Sequence, residues 1–183
     1  MPRVALALAL LPLAGSLGSV ALADKVDPLS PPASLPEALR PAAGQELAFA
    51  LRADGVQIYE CKDAGGVVAW AFRSPEATLS AGNGDKKAAA RHFAGPTWAD
   101  DSGSVVGTVA AKAPSPDPTA IPWLKLTAAS HTGTGRFSEV STVLRLGTVA
   151  GVAPPAGCDA GKLGAVAKVP YQASYFFYRA AKH

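Results

Sequence analysis

The chain has 183 residues, with 17 lysines and arginines against 14 aspartates and glutamates and a formal net charge of +3. Its basic residues are scattered, so it lacks the clustered positive charge and interleaved aromatic rings that bind nucleic acid. We therefore predict no nucleic-acid partner. The length suits one domain that buries roughly two thirds of its unfolded surface.

Residues 1–23 have the pattern of a secretory signal peptide. A positive start precedes an apolar run, and Ala21-Leu22-Ala23 is a small-residue cleavage site before Asp24. An uncleaved membrane anchor is disfavoured because glycines and a proline interrupt the run. Cleavage would remove one basic residue and leave a net charge of +2. We predict an exported protein, periplasmic or extracellular, with no membrane span after signal removal.

The only two cysteines, Cys61 and Cys158, both follow the signal. In an oxidising compartment such a pair most economically forms one disulfide. A metal pair lacks further cysteines or histidines at ligand spacing, and a catalytic thiol would be prone to oxidation outside the cell. We predict a Cys61–Cys158 disulfide that closes a loop of about a hundred residues.

Residues 24–44 contain five prolines. Proline at this density blocks helices and strand ladders, so we predict an extended linker with at most one helical turn at residues 35–40. A single β domain would then occupy residues 45–183.

The first strands of that domain are predicted from alternating apolar residues at 47–51 and 56–61. Between them, Arg52-Ala53-Asp54-Gly55 predicts a hairpin turn. A further turn at residues 63–66 leads to a third strand at 67–72, which would complete an antiparallel meander.

The following residues, 74–83, read as irregular chain, and residues 85–91 as a short helix capped by Asp85. Further strands are predicted at residues 105–112, 121–127, 139–146 and 171–179. Frequent turns and the lack of strand–helix alternation indicate an all-β single domain. We predict an antiparallel β-sandwich or barrel of about seven to nine strands with long irregular loops.

The stretch from His92 to Ser104 gathers the most chemically capable side chains. In one interpretation His92 is a base or metal ligand oriented by Asp100 or Asp101. In the other, its ring packs beside Trp98 and hydrogen-bonds a carbonyl oxygen. The second is favoured because one histidine without a second ligand at close spacing is weak evidence for a metal. We predict no metal site and no cofactor.

Three weaker interpretations concern isolated side chains. Glu76 with Asp101 would resemble the carboxylate pair of a glycosidase. An exposed Trp98 would stack on a sugar ring or another apolar ligand. Arg145 is expected to form a structural ion pair with Glu139 or Asp101.

Several short motifs spread over nearly the whole mature chain carry a family resemblance. They are Gly55-Val56-Gln57-Ile58-Tyr59-Glu60-Cys61; Trp70 with Pro75-Glu76-Ala77; His92 through Trp98 with Gly103-Ser104; Ile121-Pro122-Trp123-Leu124; Gly133-x-Gly135; Arg145 before Thr148; Pro154 before Cys158; and Val169-Pro170-Tyr171 through Phe177-Tyr178. In these the chain resembles the DUF3455 family, secreted bacterial and fungal proteins of unknown function. The resemblance implies a single-domain exported protein and brings no activity or cofactor. The chain departs from the family pattern at Ala99, usually acidic, and at Ala150-Gly151, usually Gly-Gly.

The leading hypothesis is an exported, non-enzymatic binding or structural module of the periplasm or cell surface. Its partner would be an unknown small molecule, a glycan or an envelope component. The candidate ligand-binding residues are His92, Trp98, Asp100, Asp101 and Ser104. The alternative is a secreted hydrolase or metal-dependent enzyme centred on His92 and Asp101.

Overall fold

The computed structural model describes residues 29–82 and 87–182, which form one antiparallel sheet of eight strands and two short 3-10 helices. The predicted signal peptide, residues 1–23, lies outside the described residues, as does the start of the predicted linker. The strands are β1 (Gln45–Asp63), β2 (Val68–Ser80), β3 (Ala90–Phe93), β4 (Thr97–Asp100), β5 (Gly103–Ala113), β6 (Trp123–Gly133), β7 (Thr142–Ala150) and β8 (Val166–Ala180). The 3-10 helices are Glu37–Leu39 and Ala160–Lys162.

The sheet closes on itself. Each strand pairs with the next one along the chain, and β8 pairs back with β1 in the order of a closed barrel. The closing ladder joins residues 45–60 of β1 to residues 166–180 of β8. The prediction of an all-β antiparallel fold is confirmed, and the eight strands fall within the predicted number.

The hairpin turn predicted at residues 52–55 is wrong, because β1 runs through it without interruption. A Cβ at Gly55 would collide with the backbone of Glu76 and Ala77 on β2. This glycine therefore allows close approach of two strands and does not serve a turn. The turn predicted at residues 63–66 does connect β1 to β2, with positive φ at Gly65 and Gly66.

Two expectations for the following segment are also corrected. Residues 74–80 are not irregular but continue β2, with Ala77 and Leu79 buried. The described part of the predicted helix at residues 85–91 is not helical, since Ala90 begins β3 and pairs with Leu79. Ala90 is buried in the core, and this packing outweighs the helix propensity of the alanines.

Strand β8 separates the inner core from an outer cluster. Tyr171, Tyr175 and Phe177 point into the closed sheet, where they pack in the main core. Phe176 and Tyr178 point outward. This alternation follows from the two-residue period of a strand.

The outer cluster consists of Leu39, Leu144, Leu146, Phe176 and Tyr178. Residues 29–44, the described part of the predicted linker, cover it. Leu39 is fully buried on the 3-10 helix Glu37–Leu39, and Leu29 and Leu35 pack against the same cluster. The expected helical turn is therefore present, and this segment packs on the sheet. The domain boundary at residue 45 stays a prediction.

The predicted disulfide is confirmed. Cys61 and Cys158 are bonded, with their Cα atoms 5.3 Å apart across a sequence separation of 97 residues. The bond joins the end of β1 to the loop that leads into β8. Within the two described ranges, no helix is long and apolar enough to cross a membrane.

Candidate functional site

The wall of the closed sheet is incomplete beside the short β3–β4 hairpin. β3 pairs with residues 77–79 of β2, and β4 pairs with residues 103–106 of β5. Residues 68–76 of β2 and 107–113 of β5 therefore pair with a strand on one side only. This leaves an opening in the sheet between these two segments, next to the turn of the β3–β4 hairpin.

A cavity of about 220 Å³ lies behind this opening. Its mouth is formed by Phe72 of β2, Val109 of β5 and the turn Ala94-Gly95-Pro96. Phe72 and Val109 are 54% and 50% exposed, so the entrance presents apolar side chains to solvent. Large apolar side chains exposed at the rim of a concave site are typical of ligand entry.

His92 and Trp98 form one wall of the cavity. Their rings are stacked with centroids 4.6 Å apart, and the Tyr175 ring meets His92 edge-on at 5.0 Å. This geometry matches the interpretation in which His92 packs beside Trp98. Trp98 is only 1% exposed, so the hypothesis of an exposed tryptophan stacking on a sugar ring is wrong.

The tautomer of His92 follows from its hydrogen bond. Nδ1 lies 2.9 Å from the carbonyl oxygen of Thr97. A carbonyl oxygen only accepts, so Nδ1 carries the hydrogen and Nε2 does not. Burial lowers the pKa of His92 to about 3; the bond to Thr97 opposes this shift and the charge of Arg145 adds to it. The ring is therefore neutral at physiological pH.

Arg145 enters the cavity from β7, between Leu124 of β6 and Tyr175 of β8 in the sheet. Its Nε and Nη2 atoms donate to the carbonyl oxygen of Pro122 at 3.2 and 2.8 Å. The expected ion pair with Glu139 or Asp101 is wrong. No described carboxylate lies within ion-pair distance of Arg145. Glu139 pairs instead with Arg179, whose Nη1 atom lies 3.2 Å from the Glu139 Oε2 atom.

Tyrosine hydroxyls extend the polar part of the interior. The hydroxyl oxygens of Tyr171 and Tyr175 are 3.5 Å apart, and Tyr59 donates to the carbonyl oxygen of Gly151 at 2.7 Å. Burial raises the pKa of both Tyr171 and Tyr175, while the positive charge of Arg145 opposes the shift in each. These hydroxyls stay protonated and can donate hydrogen bonds.

The sequence matches the family described as "Protein of unknown function (DUF3455)" over residues 41–179. The chain belongs to the DUF3455 family. The matched range contains β1 to β7, nearly all of β8 and every residue that lines the cavity. No curated protein and no solved structure matches the chain.

Three buried polar atoms of this DUF3455 domain have no hydrogen-bond partner among the described residues. They are Trp98 Nε1, Gln57 Nε2 and Trp123 Nε1. An unsatisfied buried donor costs about 1 to 3 kcal/mol. The ring of Trp98 lines the cavity, but its Nε1 atom is fully buried and is not exposed to that space.

The remaining predicted site residues of the DUF3455 domain lie at the β4–β5 turn. Asp100 accepts a hydrogen bond from the backbone N–H of Ser102 at 2.9 Å and pairs with Arg136 at 3.0 Å. Burial raises the pKa of Asp100, but these interactions outweigh it and lower the pKa overall. Asp101 is exposed, and the Ser104 hydroxyl bonds a threonine of β6 at 2.8 Å. None of the three predicted residues at this turn lines the cavity.

The structure thus brings His92 and Trp98 together and places Asp100, Asp101 and Ser104 elsewhere. Glu76 lies on β2 and pairs with a lysine of β8 at 3.1 Å, whereas Asp101 lies at the β4–β5 turn. Nor does the part of the chain that the structure describes contain a group of three or more His, Cys, Asp or Glu residues arranged to hold a metal.

Sequence reasoning missed Arg145 and Tyr175 as site residues. A signal existed for Arg145, because it faces away from Leu144 and Leu146 on a strand whose other face is apolar. That pattern does not show that Arg145 and Tyr175 face one cavity, since they lie on two different strands, β7 and β8.

Proposed function

We propose that this DUF3455 protein is an exported, non-enzymatic binding module that takes a small molecule into the cavity behind the β3–β4 hairpin. One observation carries the proposal. The cavity combines an apolar wall with a few polar side chains, among them the Arg145 guanidinium, whose hydrogen bonds go to a carbonyl oxygen and not to a described carboxylate. That combination is the usual make-up of a ligand site.

The size of the cavity supports a compact ligand. Sites for drug-sized ligands usually measure about 300 to 1,000 Å³, and this one is about 220 Å³. A monomeric organic molecule fits that volume better than a glycan chain. The half-exposed Phe72 and Val109 at the mouth favour a ligand that is partly apolar.

The chemistry of the wall favours binding over catalysis. His92 is neutral, its Nδ1 hydrogen is used on Thr97, and it makes no hydrogen bond or ion pair to a described carboxylate. A hydrolase at His92 and Asp101 would need these residues to act on one substrate. Asp101 lies at the β4–β5 turn and does not line the cavity.

The proposal of export rests on the signal-like sequence of residues 1–23 and on the disulfide. A bond between Cys61 and Cys158 is compatible with an oxidising compartment. We place the working protein in the periplasm or outside the cell.

A test of this function uses two valine variants that differ in their place on the sheet. Val109 and Val149 are both 50% exposed, but only Val109 lines the cavity. Val109→Trp should fill the mouth, whereas Val149→Trp adds the same bulk away from it. Full-length wild type and both variants are expressed for export, purified from the periplasm without chelator, and measured by native and intact mass spectrometry.

We expect a chain that begins at Asp24, two hydrogens lighter than its reduced form, with a small-molecule adduct on wild type and Val149→Trp. Val109→Trp should lack the adduct or hold it at least about tenfold more weakly, as follows from the loss of a buried ligand surface. Equal adducts on both variants would place the ligand outside the cavity. A ligand recovered in chemically altered form would favour an enzyme.

A further inference from the structure

The residues that line the cavity carry an unbalanced charge. Among the described residues, the lining includes Arg73 at the mouth and Arg145 inside, and no aspartate or glutamate. His92 adds no charge because its ring is neutral. An opening lined by one sign of charge between low-dielectric walls concentrates ions of the opposite sign. The cavity therefore attracts anions.

Arg145 provides an anchor for such an anion. Guanidinium is always charged and has five N–H donors in a planar fork. The carbonyl oxygen of Pro122 receives two of these donors, and a carbonyl oxygen does not neutralise the charge. A partly buried cation with no carboxylate near it in residues 29–82 and 87–182 is costly, and a bound anion would remove that cost.

The polar group next to Arg145 is a hydrogen-bond donor as well. The Tyr175 hydroxyl carries its proton and lies beside Arg145, whose hydrogen bond lowers the pKa of Tyr175 against the effect of burial. A ligand with acceptor oxygens can accept hydrogen bonds from both the Arg145 guanidinium and the Tyr175 hydroxyl, whereas an ammonium group would be repelled by the positive charge of Arg145.

Most of the remaining lining is apolar. Leu124, Leu126, Trp98 and Tyr175 are among these lining residues. A ligand that fills it has a compact hydrocarbon or aromatic body. Of the two arginines in the described lining, Arg73 is exposed and only Arg145 is partly buried, so a single negative charge on the ligand matches the one partly buried positive charge.

We infer that the cavity binds a small organic carboxylate with an apolar body, whose carboxylate is held by Arg145 and the Tyr175 hydroxyl. The inference rests on the proposed function and adds the chemical class of the ligand. Arginine is suited to this role because its fork matches the two oxygens of a carboxylate.

The experiment compares probes that share one body and differ in the head group. Phenylacetate and phenylacetamide have the same phenyl ring and nearly the same shape, but only phenylacetate is charged. Phenyl phosphate provides a doubly charged relative. Dissociation constants are measured by calorimetry and ligand-observed NMR on the mature protein at low ionic strength, for wild type, Arg145→Gln, Arg145→Lys and Arg73→Gln.

In wild type we expect phenylacetate to bind at least about tenfold more tightly than phenylacetamide, as for a charge-assisted hydrogen bond. Arg145→Gln should abolish this preference, and Arg145→Lys should restore part of it by returning the charge without the fork. Arg73→Gln, which removes a charge at the mouth, should change the preference less than about threefold because that arginine is solvated.

The possible outcomes test the chemical class of the ligand separately from the proposed binding function. If phenylacetate and phenylacetamide bind equally well and neither binds Val109→Trp, the cavity is a ligand site but the inference of an anionic ligand is wrong. A preference that survives in Arg145→Gln, or tighter binding of phenyl phosphate, also overturns the inference. If no probe binds wild type, the carboxylate inference is wrong, and the adduct experiment then decides the proposed function separately. Circular dichroism spectra establish that each variant is folded.

Discussion

His92 illustrates how a residue's surroundings decide what it can do. Its ring packs against Trp98 and Tyr175, and its Nδ1 hydrogen is donated to the Thr97 carbonyl oxygen. Protonation would place a second positive charge near Arg145 in a buried setting. The neutral ring therefore belongs to the folded state, and the charged ring opposes it.

The first prediction concerns the stability of the protein in acid. The pKa of His92 is about 3 in the folded protein against an ordinary 6.5. Below about pH 6.5 the unfolded chain takes up a proton that the folded protein does not. Stability is therefore full above that pH and falls towards pH 3, by at most about 1.4 kcal/mol per pH unit. In His92→Asn this contribution should vanish.

Urea unfolding at pH 7 and pH 5 measures this effect. Between these values the free energy of unfolding should fall by about 1 to 2 kcal/mol more in wild type than in His92→Asn, by the same linkage. Carboxylates such as Asp100 titrate in both proteins and cancel in the comparison. Equal pH dependence in the two proteins would show that folding does not lower the pKa of His92.

The same residues show what the sequence reveals about a site. His92 and Trp98 are neighbours on one short hairpin, so their pairing is visible in a local stretch. Arg145 and Tyr175 are adjacent only through the pairing of β7 with β8. Without the register of that ladder, no spacing in the sequence indicates that they meet. Local chemistry is therefore predictable here, and chemistry assembled across strands is not.

Among the elements, the segment before β1, residues 29–44, contributes more to the packing of the sheet than its proline-rich composition suggests. Its prolines exclude it from the sheet, yet they do not prevent it from packing. The 3-10 helix Glu37–Leu39 lies against β5 and β6 and buries Leu39 completely. It shields Leu144 and Leu146, which would otherwise expose an apolar patch on the outside of the sheet.

The second prediction concerns how much this segment adds to the free energy of unfolding. Leu39→Ala should lower the free energy of unfolding by about 2 to 5 kcal/mol, because it leaves a cavity in a fully packed cluster. Leu163→Ala is the matched control: Leu163 is 52% exposed, and its loss should cost less than about 1 kcal/mol. Chemical denaturation of both variants gives the values. Equal losses would mean that residues 29–44 do not stabilise the sheet.

Elements also show which sequence signals are ambiguous. Gly65 and Gly66 take positive φ values and make the expected turn. Gly55, next to an aspartate that also favours turns, is instead a site of close strand approach. Both uses require the absence of a side chain, and sequence alone does not say which one applies. Strand alternation was the more reliable signal, because burial of one face imposes it directly.

Across the whole molecule, the Cys61–Cys158 bond holds together the two ends of the sheet. It fixes the end of β1 to the loop before β8, next to the ladder that closes the sheet. Cys61 is itself buried, at 1% exposure. The bond thus constrains the unfolded chain across 97 residues, where the entropy of loop closure is large.

The third prediction concerns loss of this bond. Reduction of the wild type should lower its free energy of unfolding by about 2 to 5 kcal/mol, as the chain-entropy argument gives for a long loop. Cys61→Ala/Cys158→Ala should lose a similar amount, with an added penalty of about 1 kcal/mol for the smaller buried side chain at position 61. Urea titrations of the oxidised, reduced and double-variant proteins test this. If oxidised and reduced proteins unfold together, the bond adds no stability.

The strand order described above also has a consequence for how the chain folds. Seven of the eight pairings join consecutive strands, so they can form one after another as local hairpins. The pairing of β1 with β8 joins positions separated by more than half of the chain, and we expect it to form late. Until then, two long strands present free edges that other chains can extend by adding strands. The free edges of β1 and β8 are therefore removed only when the first and last strands meet.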